Sequence, residues 1–543
     1  MMQEQKLRTG FIFFIFCALY AVVWFNLYII QIRQRNFFKD LGSRQYYVNV
    51  TSMPPRAEIY DRNGKPLALN QDRLSAFVLP KLIKQPAELN AFLKKEFPHA
   101  YEQLKKTTSH FLFVKRKLTD EQLQMLQAAN LEDIQLLKEP SRFYPLPTAA
   151  PLLGLTDIDN NGLFGIELMC NKQLAGASST YQLEKDARSG YCYFTKETKV
   201  AGHEGTPITL TLDSDLQFLA YEELKQTVES YGAREGAVLV MNPVNGEIIV
   251  MANYPAFDPN DTLNLAPELT RNRIVTDAHE PGSVMKIFLG LAALEEGVVK
   301  PDELIDCENS KMGIINGFKF GTVHENGLIP FTDVIAESNN IGVAKVALCL
   351  GPKLYDHYRR VGFGTKTGLN WPGEQSGFVN PPHKWSRSSI IVLSFGYELT
   401  INLLQLARAM SIIANGGHAV EPTFFLNNPE CQRLTDPLYS PQTIETMRDI
   451  LEKAVDTGTG KYAAVRGYKV MGKTGTANLV INGKYDPQHS IYSFSGIVEK
   501  GDYKRVIITF IKDIGRTKVY AATVAAPLFN KVAEKVLIHD QVI

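Results

Sequence analysis

Residues 11–30 read FIFFIFCALYAVVWFNLYII, twenty positions without a charge and with Asn26 as the only strongly polar side chain. A helix over this run rises about 30 Å, the thickness of a bilayer's hydrocarbon core. An amphipathic helix of a soluble domain interrupts its apolar stretches every few residues, and this one does not. A cleaved secretory signal is shorter and ends in small residues, whereas this run ends Tyr28-Ile29-Ile30-Gln31-Ile32-Arg33. Ile15-Phe16 also lack the small residue expected before a lipidated Cys17. The pattern predicts a short tail over 1–10 and an uncleaved transmembrane anchor over 11–32, with orientation left open. Lys6 and Arg8 precede the span but Arg33, Arg35, Lys39 and Arg44 follow it, so flanking charge points the remaining chain the wrong way for an exported domain.

Beyond the anchor, 58 Lys and Arg against 57 Asp and Glu leave no basic excess for nucleic acid. The 29 Phe and 23 Tyr argue against disorder. A chain of 543 residues forms more than one core. Six cysteines without a Cys-x-x-Cys pair argue against a disulfide scaffold or a zinc site, and no metal or organic cofactor is expected. The five outside the anchor (Cys170, Cys192, Cys307, Cys349 and Cys431) read as buried free thiols.

The predicted architecture is α+β. Residues 33–205 mix short strands, turn chemistry at Pro54-Pro55 and Asp61–Pro66, and amphipathic helices over 85–107 and 119–130. From Pro207 the texture changes to a strand, a cap at 213–215 and a helix. An apolar hairpin follows over 236–255, turning at 242–246. Near the end come strands at 492–499 and 503–513 and a helix over 523–538. Residues 206–543 therefore read as an antiparallel sheet covered by helices.

Three short patterns in this second part carry chemistry when taken in order. Ser283-Val284-Met285-Lys286 follows Pro281-Gly282 at a helix start, where free N–H groups favour developing negative charge. Lys286 lies on the same helix face and can act as the base a serine nucleophile needs, provided burial or a nearby cation lowers its pKa. Ser338-Asn339-Asn340 supplies a hydroxyl for proton relay and an amide for a substrate carbonyl. Lys473-Thr474-Gly475-Thr476 puts a cation and two hydroxyls on a strand edge, with a glycine to admit substrate to the backbone. Lys366-Thr367-Gly368 spells the same triplet, but in a Gly/Pro-rich loop, so Lys473 is chosen.

This set resembles that of the class B penicillin-binding proteins, D,D-transpeptidases of bacterial cell-wall synthesis. The likeness extends to PPRAEIYDRNGKPLA (54–68), RFYPLPTAAPLLG (142–154), GLFGIELMCNKQLAG (162–176), TGLNWPGEQSG (367–377) and VAAPLF (524–529). SFGYELTINLLQLARA (394–409), SNNIGVAKVAL (338–348) and Glu280-Pro-Gly-Ser resemble the septal, division-specific type. Ala57, Asn402-Leu403 and Ala521-Ala522 depart from the usual pattern without touching the three motifs.

The resemblance implies an elongated non-catalytic pedestal over 33–205 and a serine β-lactamase-like transpeptidase domain over 206–543, without glycosyltransferase activity. It implies that Ser283 is acylated by a D-Ala-D-Ala stem or a β-lactam, Lys286 and Lys473 govern its proton, and Ser338 relays. Asn340, Thr474, Gly475 and Thr476 would then bind substrate. It also implies an extracytoplasmic catalytic domain and, as partners, a SEDS-type glycosyltransferase and other divisome proteins. The alternatives are an elongation-type transpeptidase, a β-lactamase or β-lactam sensor, and a divisome scaffold. Glu398-x-x-x-Asn402 mimics a deacylating motif by coincidence.

Overall fold

The computed structural model describes residues 2–109, 111–185, 192–262, 265–426, 436–515 and 519–542. It divides into two compact units, residues 1–56 with 175–205, and residues 57–174 with 206–543.

In the first unit, helix α1 (Met2–Tyr28) runs into a π-turn over Ile29–Arg33, then a helix over Arg35–Tyr46. Residues 5–33 are, among the described residues, the one helix long and apolar enough to cross a membrane. Asn26 Nδ2 donates to the Val22 carbonyl at 3.1 Å, so the polar residue of the run bonds its own backbone. Tyr47–Ser52 and Cys192–Val200 pair antiparallel on either side of Ser179–Lys185.

The second unit begins with the long strand Pro66–Val78, paired antiparallel with Gln135–Phe143 and Leu112–Lys115. Ile59–Tyr60 joins it to Ile208–Thr209 in parallel. The helix expected over 85–107 is two, Pro86–Glu96 and Pro98–Lys106, because Pro98 cannot continue the first but suits the start of the second. Asp120–Ala129 starts at a capping box between Thr119 and Gln122. The three segments singled out in this region meet. Arg142 Nε donates to Glu167 Oε1 at 2.7 Å and its Nη1 to the Ala57 carbonyl at 2.8 Å. Asp61 is wholly buried and accepts from Asn63 N, Lys65 N and the Ser214 hydroxyl.

A five-stranded antiparallel sheet organises the remainder: β1 (Glu235–Met241), β2 (Ile248–Tyr254), β3 (Lys469–Ile481), β4 (Lys484–Lys500) and β5 (Tyr503–Lys512), in spatial order β2-β1-β5-β4-β3. Strand β1 is buried on both faces. Val238 and Val240 enter one core and Ala237, Leu239 and Met241 the other, which is why its sequence is one apolar run. On the first face lie α2 (Ser214–Tyr231), capped by Asp213, and the C-terminal helix Ala521–His539. The other face packs against α3 (Met285–Glu295), whose side chains from Met285 to Ala293 are all buried, α4 (Asn340–Leu350) and α5 (Leu403–Ala414). A helix apolar all round belongs in the middle of a domain, and its N-terminus meets edge strand β3. Helix α6 (Pro441–Asp456) packs along β3.

Of the cysteines, Cys307 is a buried free thiol and Cys349 an exposed one, which departs from the expected burial because it sits on the outer face of α4. Cys170 is buried. Cys431 and the Cys192 side chain lie outside the described residues.

Candidate active site

The nucleophile motif occupies a single 3-10 turn, Gly282–Val284, that leads into α3. Gly282 has φ +61°, and a Cβ there would fall 2.4 Å from the Thr476 carbonyl oxygen. Only glycine lets the turn lie this close to β3. Gly475 serves the same contact: its Cβ position is 2.7 Å from Val284 Cγ2 and 2.8 Å from the Pro281 carbonyl oxygen. Where the sequence suggested that Gly475 admits substrate, the strand alternation turns it inward, and it admits the serine-bearing turn.

Lys286, fully buried, lies beneath Ser283. Its Nζ is 3.1 Å from Ser283 Oγ, 2.9 Å from Ser338 Oγ, 2.7 Å from the Ser338 carbonyl and 2.5 Å from Asn340 Oδ1. The Ser338 carbonyl and Asn340 Oδ1 accept from this amine, which also lies within hydrogen-bond distance of both serine hydroxyls. Burial, and then the charge of Lys473, hold the Lys286 amine well below the usual lysine range.

Ser338 reaches this position in a left-handed conformation, φ +64°, at the junction between helix Phe331–Ala336 and α4. Such a conformation is costly for a residue with a Cβ and is typical of functional turns. Asn339, between the two motif residues, caps α4 by accepting from Ile341 N at 2.9 Å and Gly342 N at 3.0 Å. Asn340 is held at both ends of its amide, with Nδ2 donating to the Gly321 carbonyl at 2.7 Å.

On β3 the alternation sends Lys473 inward, fully buried, and Thr474, Thr476 and Asn478 into the cleft. Burial brings Lys473 down to about 7. Its Nζ is 3.1 Å from Thr459 Oγ1, which also accepts from the Thr474 hydroxyl at 3.0 Å. Thr459 is a site residue that sequence reasoning missed. It lies in Thr457-Gly-Thr-Gly460, which reads as an ordinary Gly-rich loop until the fold brings it over Lys473. Thr476 Oγ1 accepts from Ala521 N at 3.5 Å, at the start of the C-terminal helix.

Ser283, Ser338, Asn340, Thr459, Thr474 and Thr476 open together on a cleft of about 700 Å³, with Phe395 and Tyr397 on its wall. This is within the range of small-molecule and peptide sites. The rejected triplet lies elsewhere: Thr367 N and Oγ1 both donate to Glu374 Oε1 at 2.7 Å, closing a loop. Glu398 and Asn402 do not line the cleft. Asn402 caps α5, and Glu398 N donates to Glu280 Oε1 at 2.9 Å.

A serine at a helix start, over a buried lysine whose pKa burial lowers and beside a second buried lysine on an edge strand, defines a serine acyl-transfer site of the penicillin-recognising type. Comparison with known proteins agrees. Residues 236–534 match the family model of the penicillin binding protein transpeptidase domain, and residues 51–210 that of the penicillin-binding protein dimerisation domain. The chain is 31% identical to the probable peptidoglycan D,D-transpeptidase PbpC of Pseudomonas aeruginosa, over 98% of this chain and 94% of that one. It is 29% identical to the peptidoglycan D,D-transpeptidase FtsI of Escherichia coli K12, over 89% and 83%. Among solved structures, penicillin binding protein 3 from Mycobacterium tuberculosis, complexed with aztreonam, superposes with a TM-score of 0.68 at 26% identity, covering 91% of this chain and 98% of that one. The chain belongs to the class B penicillin-binding proteins, with a dimerisation-type domain and a transpeptidase domain.

Proposed function

We propose that this protein is a peptidoglycan D,D-transpeptidase that crosslinks stem peptides through an acyl-enzyme on Ser283 and works at the division septum. The single observation that carries the chemistry is the placement of a buried Lys286 amine within hydrogen-bond distance of both the Ser283 and Ser338 hydroxyls. Lys286 takes the Ser283 proton as Oγ attacks the carbonyl between the two D-Ala residues. The tetrahedral oxyanion is held by the backbone N–H groups of Ser283 and Thr476. Ser338 passes the proton to the departing amine, and D-Ala leaves. Thr474 and Thr476 hold the terminal carboxylate, with the buried Lys473 amine behind Thr474, and Asn340 holds the stem. A second stem's amine attacks the ester, giving its proton back through the same pair, and the crosslink forms. A β-lactam occupies the same contacts and stops at the ester.

Because this substrate lies outside the cytoplasmic membrane, residues 11–32 are the anchor, 1–10 the cytoplasmic tail and 33–543 extracytoplasmic. Within the latter, 33–205 form the pedestal and 206–543 the catalytic domain. The septal assignment rests on the likeness of residues 394–409 and on the FtsI relative, and it carries with it SEDS-type and divisome partners. Ser283→Ala is expected to abolish labelling by a fluorescent penicillin and D-Ala release from a pentapeptide, with intact-protein mass spectrometry placing one adduct on Ser283. An adduct elsewhere, or rapid steady-state hydrolysis of penicillin, overturns the reading. A fluorescent fusion spread along the lateral wall overturns the septal role alone.

A further inference from the structure

The basic residues that follow the membrane span are unexplained by topology, since they sit on the side that the positive-inside tendency disfavours. Their arrangement suggests another use. The π-turn Ile29–Arg33 ends at Gln34, where φ −107° and ψ 15° break the helix before a new one starts at Arg35. On that second helix Phe37, Phe38 and Leu41 are exposed at spacings of three and four residues, with the two Phe rings 5.2 Å apart edge to face. Arg35 and Lys39, four apart on one side of the helix, are exposed roughly opposite Phe37 and Leu41 with Phe38 between the two sets, and Arg33 is exposed just before the break. Ile32 also stands 65% exposed at the end of the span.

We propose that Arg33, Arg35 and Lys39, with the apolar stripe Phe37-Phe38-Leu41, form a binding site for anionic phospholipid headgroups at the outer surface of the cytoplasmic membrane. The occupant follows from continuity and charge. The stripe begins within a few residues of the segment placed in the bilayer, so lipid is its immediate neighbour. The cations lie at headgroup depth, where phosphate is the available counter-charge. A short amphipathic helix with basic and aromatic faces is the usual form of such interfacial binding. The site would fix how the chain leaves the membrane. The inference rests on the reading of residues 11–32 as an anchor with the rest of the chain outside.

The test uses the full chain in nanodiscs of phosphatidylglycerol and phosphatidylethanolamine, with bound lipid counted by native mass spectrometry. Wild-type protein is expected to retain phosphatidylglycerol over phosphatidylethanolamine. Arg33→Gln, Arg35→Gln and Lys39→Gln should each reduce that preference about fivefold. Arg35→Lys should keep it. Equal retention by wild type and the triple variant overturns the proposal, as does a triple variant that keeps its lipid but loses a co-purifying membrane protein. Failure of the underlying reading looks different. Alkaline carbonate would then extract the chain from membranes, or a cysteine introduced by Lys39→Cys would resist an impermeant maleimide applied to spheroplasts.

Discussion

At the scale of single residues, the site depends on two amines kept from their ordinary protonation. Acylation needs Lys286 neutral, so its rate rises with pH through the Lys286 pKa. Burial, then the Lys473 charge, lowers that pKa. Lys473→Met removes the second influence, and the acid limb of the penicillin-acylation profile should move to higher pH; an unmoved limb would show that Lys473 acts only on substrate. The same substitution has a stability consequence of definite sign. Unfolded Lys473 titrates near the ordinary lysine value and folded Lys473 at about 7. Between those values the unfolded state binds more protons, so stability falls as pH drops from about 10 towards 7. Lys473→Met should flatten that part of a Tm-against-pH curve and raise stability at pH 7 by a few kcal/mol, on the order expected for a fully buried amine. Most of this site was legible in the chain. The three-residue spacing of Ser283 and Lys286 is a helix face, and the alternation after Lys473 is a strand. Thr459 was not legible, because its partners Lys473 and Thr474 are fourteen and fifteen residues away across a turn. The inward role of Gly475 was hidden for the same reason: it depends on which element packs behind the strand.

At the scale of elements, the helices could be read closely because their ends carry their own chemistry. Asp213 caps α2, and Thr119 and Gln122 start Asp120–Ala129 where the pattern predicts. The strands were less complete. β4 begins at Lys484, well before the expected 492, because its outer half is exposed and polar and lacks an apolar signature. The insertion of β5 between β1 and β4 is set by pairing across some 270 residues and leaves no local trace. The segments 54–68, 142–154 and 162–176 likewise stand apart in sequence, and Arg142 joins them. Its side chain is 2% exposed and that of Glu167 is fully buried. Arg142→Leu removes the Arg142 guanidinium from a buried carboxylate and should cost about 3–5 kcal/mol in urea unfolding. The double change Arg142→Leu with Glu167→Leu should restore much of that loss. A double variant as unstable as the single would mean that the Ala57 carbonyl contact, rather than the ion pair, dominates.

At the scale of the whole molecule, the cores do not follow the order of the chain. Ala57, Ile59, Leu67, Ala68, Tyr144 and Leu152 share one continuous core with α3, α4 and α5 of the catalytic region. Ala76, Val78, Leu89, Leu93, Phe97, Val114 and Leu126 form a separate small core around the outer half of the same long strand. Backbone bonds reinforce the first grouping, with Ile208 N donating to the Glu58 carbonyl at 3.2 Å and Arg62 N to the Leu212 carbonyl at 2.9 Å. Residues that share a core open together, and a ligand held only by the folded state protects whatever opens with its site. Amide exchange measured with and without covalent penicillin should therefore show added protection at α3, at β3 and also at 59–68 and 150–153. The lobe over 86–129 should exchange at an unchanged rate, because it can unfold without disturbing Ser283. Added protection confined to residues after 206 would mean that 57–68 open independently of the catalytic core. Equal protection throughout 86–129 would mean that the small core unfolds only with the rest. The long strand Pro66–Val78 would then be the physical link by which an event at the 86–129 lobe reaches the cleft, since it runs from one core into the other without a break.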